Sequence, residues 1–339
     1  MILKIPTNGK KLNKIFFISE IASTHNGSEI YLKKLTNKIL DSETDYIKFQ
    51  IFKNEDLCHP TSPFYKGLKK IELNQSMWKN IIDKSLKKKG VILEPFDENS
   101  YEFCKRFKKR ALIKISSSEH DNSKIILDAL KNFKKVFFNI SGFNLNQIKK
   151  IGKIYKKYKK KIILMYGFQS FPSNPKDLRL KIISKIKKLG FSAGYADHSS
   201  TNNQALSYIM TSKAIDFQAE YIEKHITYKR KEKKPDYISS FETKEMEGYI
   251  NFFKKEYFNN FNLKISKNEK KYCNIMSKFA VSNYKILKNE KLNIKKVKFL
   301  RTGQAGMDRI KFFSLIKKKA HAKKTIKKNI LLNPNLFKF

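Results

Sequence analysis

Eight short apolar runs, separated by longer amphipathic stretches, predict a closed parallel (β/α)8 TIM barrel followed by a small second domain. Three observations carry this. The apolar runs fall at 15–21, 46–49, 91–93, 112–115, 136–140, 162–166, 192–195 and 219–226, each of strand length. Between them apolar residues recur near the helical period, as in Ile30, Leu32, Leu35, Ile39 and Leu40, then Trp78, Ile81, Ile82 and Leu86, then Ile148, Ile151, Ile154 and Tyr155. No glycine-rich dinucleotide turn follows any run, which disfavours an open doubly wound sheet. Right-handed crossovers then set successive runs side by side.

The barrel is expected over residues 1–258, with 246–258 as its last outer helix. Residues 259–270 are polar and without apolar periodicity, and read as a linker. From there to 339 the pattern changes to short strands and turns at 280–282, 298–300 and 320–322, a separate small domain. No internal repeat is apparent. Cys58, Cys104 and Cys273 are scattered and odd in number, which argues against a disulfide framework and fits a reducing compartment. No apolar run reaches the roughly 20 residues of a membrane span. The basic start, residues 1–14, leads into no signal-peptide pattern, so a cytoplasmic location is expected. The formal net charge is +43, with lysines in every segment rather than in one tail. That spread, with abundant Ile, Asn and Phe, reads as compositional drift on solvent-facing positions. With no aromatic-interleaved basic motif, no specific nucleic-acid partner is expected.

Chemistry is expected at the C-terminal ends of the strands. The first run ends in Glu20 and leads to His25-Asn26-Gly27. The second carries Lys48 and Gln50, two apart and so on one face with Tyr46. The third ends in Glu94-Pro95-Phe96-Asp97, the fourth in Ser116 to Glu119, the fifth in Asn139-Ile140-Ser141-Gly142. The sixth leads to Gln169, the seventh to Asp197-His198, and the eighth carries Glu223 and His225. A ring of such groups at a barrel mouth is costly to bury without a ligand or metal to pair them. His198 and His225 fall on neighbouring strands and can share one divalent ion, with Asp197 and Glu223 beside them.

Taken in order, Phe17 to Gly27 (FISEIASTHNG), Tyr46 to Phe52 (YIKFQIF), Glu94 to Asp97 (EPFD), Lys114 to Glu119 (KISSSE), Gly194 to His198 (GYADH) and Ile222 to Thr227 (IEKHIT) resemble the sialic acid (nonulosonate) synthase family. A fainter likeness at Lys298 to Gly306 (KFLRTGQAG) is similar to the small antifreeze-protein-like (SAF-type) domain that ends these enzymes. The resemblance implies condensation of phosphoenolpyruvate with an N-acylated amino sugar and water, with phosphate released by C–O cleavage. It implies Mn²⁺ or Mg²⁺ on His198 and His225. Lys48 would hold the phosphate or carboxylate of phosphoenolpyruvate, with Gln50, Ser117, Ser141, Gln169 and Phe171 also lining the substrate site. Glu20 would orient or deprotonate the attacking water, and Glu119 and Asp236 would bind sugar hydroxyls. Arg301, from the partner in a domain-swapped homodimer, would contact the N-acyl group.

The chain departs from the family pattern at several points. Glu94 stands where a Ser or Thr is usual, Ala196 and Ile140 where Ser is usual, and Gln169 and Phe171 where Asn and Tyr are usual. The Glu94 and Ala196 changes support another reading, a divergent metal-dependent barrel aldolase or lyase, and the net charge offers a third, a non-catalytic polyanion-binding protein. His59 and His321 read as surface or loop positions, and His120 lies beside Glu119. Trp78 reads as a core residue of an amphipathic helix, and Cys104 as a helix-face residue rather than a nucleophile.

Overall fold

The computed structural model describes residues 14–257 and 265–339. Most of the basic start, Phe258 and the first part of the expected linker therefore lie outside the described residues. The chain divides into two compact units, Met1–Asn260 and Phe261–Phe339.

In the first unit eight parallel strands form a ring: β1 (Phe16–Glu20), β2 (Tyr46–Ile51), β3 (Gly90–Pro95), β4 (Leu112–Ile115), β5 (Val136–Asn139), β6 (Ile162–Tyr166), β7 (Ser192–Asp197) and β8 (Tyr221–Thr227). β1 closes the ring on β8, with Phe16 opposite Tyr221 and Glu20 opposite His225. A ninth strand, β9 (Ser240–Glu242), extends from β8 outside the ring and was not expected from the sequence. It leads into the last outer helix, Thr243–Asn251, which continues as a π-helical turn over Phe252–Glu256.

The helices cover the ring as their spacing requires. The first, Glu29–Leu40, starts at Ser28, whose side chain accepts from the Tyr31 amide. It buries Tyr31, Leu32, Leu35, Ile39 and Leu40, whereas Ile30, which the apolar spacing placed on the inner face, is 80% exposed. Each helical residue is rotated by about 100° from the last, so Ile30 lies about 200° from Leu32, on the opposite face. Trp78, on the helix Gln75–Ser85, is core as expected, packed against His25 and Phe49.

Inside the ring the side chains stack in layers. At the N-terminal end Phe16 stacks on Tyr221 with centroids 5.1 Å apart, and Phe137 meets Tyr221 edge-on. Ile18, Ile92, Ile163, Met165 and Ala196 pack with these aromatic rings. This apolar plug leaves only the other end for polar chemistry. Gly194 sits where a Cβ would run into the Met165 side chain and lie 2.8 Å from the Tyr221 carbonyl oxygen. Overpacking of about 1–3 kcal/mol is therefore expected for Gly194→Ala. Calorimetry should show Tm lower by roughly 2–10 °C; an unchanged Tm would mean that Met165 yields without cost.

The small unit pairs β10 (Lys278–Ser282) with β11 (Val297–Arg301) and β12 (His321–Ala322) with β13 (Phe337–Lys338), all antiparallel. Its own apolar cluster holds Ile286, Leu292, Met307, Phe312, Ile326 and Leu332. Here the structure corrects the sequence reading, because the unit is an internal repeat. Ala280, Ile286, Asn289, Leu292, Asn293 and Val297 match Ala320, Ile326, Asn329, Leu332, Asn333 and Phe337, each 40 residues on. Ile286 and Ile326 exchange both backbone hydrogen bonds, and Leu292 and Leu332 donate to Ala320 and Ala280 respectively. Asn289 and Asn329 both adopt φ of 63°, a left-handed turn that asparagine tolerates. The helix Lys267–Met276, capped by Ser266, begins inside the stretch read as linker. Among the described residues no helix is long and apolar enough to cross a membrane.

Candidate active site

Alternation along the strands turns Glu20, Lys48, Gln50, Glu94, Lys114, Glu223 and His225 into the barrel lumen, above the apolar plug. They meet closely. Lys48 Nζ lies 2.7 Å from Glu20, 2.8 Å from Glu94 and 3.0 Å from Glu223. Lys114 Nζ lies 2.7 Å from Glu223 and 3.7 Å from Glu94. Gln50 Nε2 donates to Glu20 at 2.9 Å and to Glu94 at 3.4 Å. Lys114 had no role in the sequence reading. The signal was present, since an ammonium between Ile113 and Ile115 in mid-strand has no route to bulk water except through the lumen.

Two buried ammonium groups face three buried carboxyls, and the surplus shows in their proton affinities. Burial pushes Glu20 up to about 8, against the pull of Lys48. Burial would also raise Glu223, but Lys114 and Lys48 override it and hold that carboxylate well below its usual range. Burial alone would lower Lys48, but Glu20, Glu223 and Glu94 lift it well above its ordinary value. The proton that Glu20 keeps near neutral pH is shared with Glu223 and relieves the excess negative charge.

The two histidines stand over this cluster. His198 follows β7, and its Nδ1 lies 2.8 Å from the Phe168 carbonyl oxygen. That bond places a proton on Nδ1 and leaves Nε2 free. His225, on β8, has its ring centroid 5.2 Å from that of His198 and its Nε2 3.4 Å from Glu20. Burial holds His198 at about 4 and His225 at about 3, so both rings are neutral at physiological pH. One donor atom from each of Glu20, His198 and His225 lies within 4.8 Å of the others, a set that could hold a metal ion. His225 Nδ1 is buried and makes no hydrogen bond; an Asp236 carboxylate oxygen lies 3.9 Å from it. Phe171 covers the pair, with centroids 4.5 Å from His198 and 5.4 Å from His225.

Asp197 does not join this group. The same alternation that turns His198 inward turns Asp197 outward, where Lys224 Nζ donates to it at 2.8 Å and Ser199 and Tyr195 also bond it. Of the rim residues, Ser117 donates to Gln169 at 2.8 Å. Ser141 uses its amide on Asn139, and Glu119 accepts from Asn122. His120 lies against the Ser117 carbonyl and the Phe143 ring. Asp236 takes a left-handed backbone, φ 62°, and accepts from the Ser23 amide at 3.3 Å. Arg301 stands exposed on β11 of the small unit.

Known proteins resemble this chain over most of its length. The N,N'-diacetyllegionaminic acid synthase of Campylobacter jejuni is 26% identical over 302 residues, covering 82% of this chain and 88% of that protein. The enzyme of the same name from Legionella pneumophila is 23% identical over 257 residues, covering 69% and 70%. Among solved structures, the sialic acid synthetase of Leptospira borgpetersenii superposes with a TM-score of 0.66 at 24% identity, covering 78% of this chain and 93% of that one. The NeuB family model matches residues 35–258, which is most of the barrel and most of the chain, and the protein belongs to the NeuB family.

Proposed function

We propose that this chain is a nonulosonic acid synthase, a transferase that condenses phosphoenolpyruvate with an N-acylated amino sugar and water and releases phosphate. The observation that carries the reading is the convergence of Glu20, His198 and His225 directly above Lys48 and Lys114 at the one polar end of the barrel. The acceptor would be N-acetylmannosamine or a diacetamido hexose; the legionaminic acid relatives favour the second.

His198 Nε2, His225 and Glu20 fit a divalent cation, because one imidazole nitrogen is already freed by a carbonyl bond and the other ring has a buried nitrogen without a partner. Bound there, Mn²⁺ or Mg²⁺ would supply Lewis acidity at the sugar aldehyde oxygen. Lys48 and Lys114 would face the anionic groups of phosphoenolpyruvate, and Ser117, Ser141, Gln50 and Gln169 would add hydrogen bonds around it. C3 of the enol attacks the aldehyde carbon, forming the new C–C bond as the aldehyde C=O π bond opens to an oxygen that takes up a proton, and leaving positive charge at C2. Glu223, held as a carboxylate by Lys114 and Lys48, would stabilise that charge by proximity. Glu20 would orient the water that adds to C2 and, in its carboxylate form, take its proton. Breaking the C2–O bond to phosphorus then expels phosphate and leaves the ketone. Glu119 and Asp236 would meet sugar hydroxyls. The small unit would be the antifreeze-protein-like domain, and Arg301 of a second copy in a swapped homodimer would reach the acyl group.

Incubation with phosphoenolpyruvate, Mn²⁺ and a panel of 2-acetamido and 2,4-diacetamido sugars is expected to release phosphate with at least one sugar. Folded, metal-loaded protein that released none with any of them would refute the reading.

A further inference from the structure

We propose that Glu94 sets the anion specificity of this mouth by placing its own carboxylate where a substrate anion would otherwise meet Lys48 and Lys114. The proposal rests on reading the mouth as the site of a phosphorylated carboxylic acid, and goes on to say how that acid is selected.

An ammonium group has three donors. Lys48 spends them on Glu20, Glu94 and Glu223, at 2.7, 2.8 and 3.0 Å. Lys114 is engaged by Glu223 at 2.7 Å and approached by Glu94 at 3.7 Å. The other fully buried lysine, Lys224, is turned away to Asp197. Among the described residues an incoming phosphate therefore finds no lysine in the lumen without a carboxylate on it, and must displace one.

The three carboxylates are not equivalent. Glu223 bridges both lysines at hydrogen-bond distance. Glu20 belongs with His198 and His225. Glu94 is grouped with neither imidazole; its two oxygens reach toward the two lysines, and Gln50 steadies it at 3.4 Å. Removing it frees a donor on Lys48 and clears the approach to Lys114, while Glu20 and Glu223 remain beside them, so a cradle of two lysines opens. With Glu94 in place, a dianion enters against a like charge a few ångströms away in a site screened little by water.

Titration calorimetry on the full chain, with inorganic phosphate and with phosphoenolpyruvate as separate probes, tests this. Wild type is expected to bind inorganic phosphate weakly. Glu94→Ser and the isosteric Glu94→Gln are expected to tighten it by at least about tenfold. Glu94→Asp, which keeps the charge, is expected to leave the affinity within about threefold of wild type. Equal phosphate affinity in wild type and both neutral variants would overturn the proposal. So would Glu94→Asp tightening as much as Glu94→Ser, because space rather than charge would then be the determinant. Failure of both neutral variants to fold, judged by circular dichroism, would overturn it too, since Glu94 would then be a required counter-charge. The measurement uses no sugar and no turnover. Tightened phosphate binding in a chain that makes no nonulosonic acid would fault the synthase reading alone, and turnover with unaltered affinities would fault this one alone.

Discussion

His225→Ala is expected to abolish metal-dependent turnover while leaving the barrel folded. Its imidazole offers one of the three converging donor atoms, and its Nδ1 makes no hydrogen bond that the fold would miss. The ring is neutral, so its loss strands no buried charge. Turnover should fall by about 10²–10³-fold or more, the scale seen when one preorganised stabiliser of developing charge is removed. Activity alone would not separate a lost metal site from a disturbed pocket. Mn²⁺ should therefore raise Tm of wild type and not of the variant, because a ligand stabilises only the state that binds it. Unchanged turnover together with the same Mn²⁺-dependent rise in Tm would sink the metal assignment.

The second large effect concerns the pair that faces away from the site. Asp197 and Lys224 are both wholly buried, 2.8 Å apart. Breaking such a pair leaves one uncompensated charge in the interior, so Lys224→Met alone is expected to cost about 3–5 kcal/mol. Replacing both, as Asp197→Leu with Lys224→Met, is expected to cost far less, because neither charge then has to be desolvated. Urea midpoints of the two singles and the double give the coupling directly. A double variant no better than the singles would show that Ser199, Tyr195 and Ser207 hold the region together without the ion pair. The pair also sets an acid limit. Burial would raise Asp197, but the Lys224 charge and hydrogen bonds from Lys224 and Ser199 hold it well below the usual carboxylate range. Its folded value is thus below its unfolded value of about 3.9, so the unfolded chain binds the proton first. The stabilisation is fully present above that value and drains away as pH falls further. Stability measured from pH 6 downward should fall more steeply below about pH 4 in wild type than in the double variant.

Much of this was legible in the residues. The eight apolar runs match the eight strands within a few positions, because parallel strands buried on both faces are written as short, nearly continuous apolar stretches. Lys48, Gln50, Glu223 and His225 could be assigned to the lumen because a polar residue between two apolar ones in a strand must face the other way. The same parity, applied one residue further, would have turned Asp197 outward and Lys114 inward. The repeat in the small unit escaped because its matching positions are small apolar residues and asparagines scattered on a lysine-rich background.

The amino-acid order determined the barrel, the end of it that carries the polar side chains and the family to which the chain belongs, since each follows from local periodicity or from short motifs kept in sequence. It could not say which charges meet. Lys48 and Glu223 are 175 residues apart, and their contact at 3.0 Å exists only because β1 closes the ring between them. The excess of carboxylates over lysines, the proton on Glu20 and the occupancy of the lysines by Glu94 were likewise decided by closure, because electrostatic energies depend on distance in space and on exclusion of water, neither of which is written along the chain.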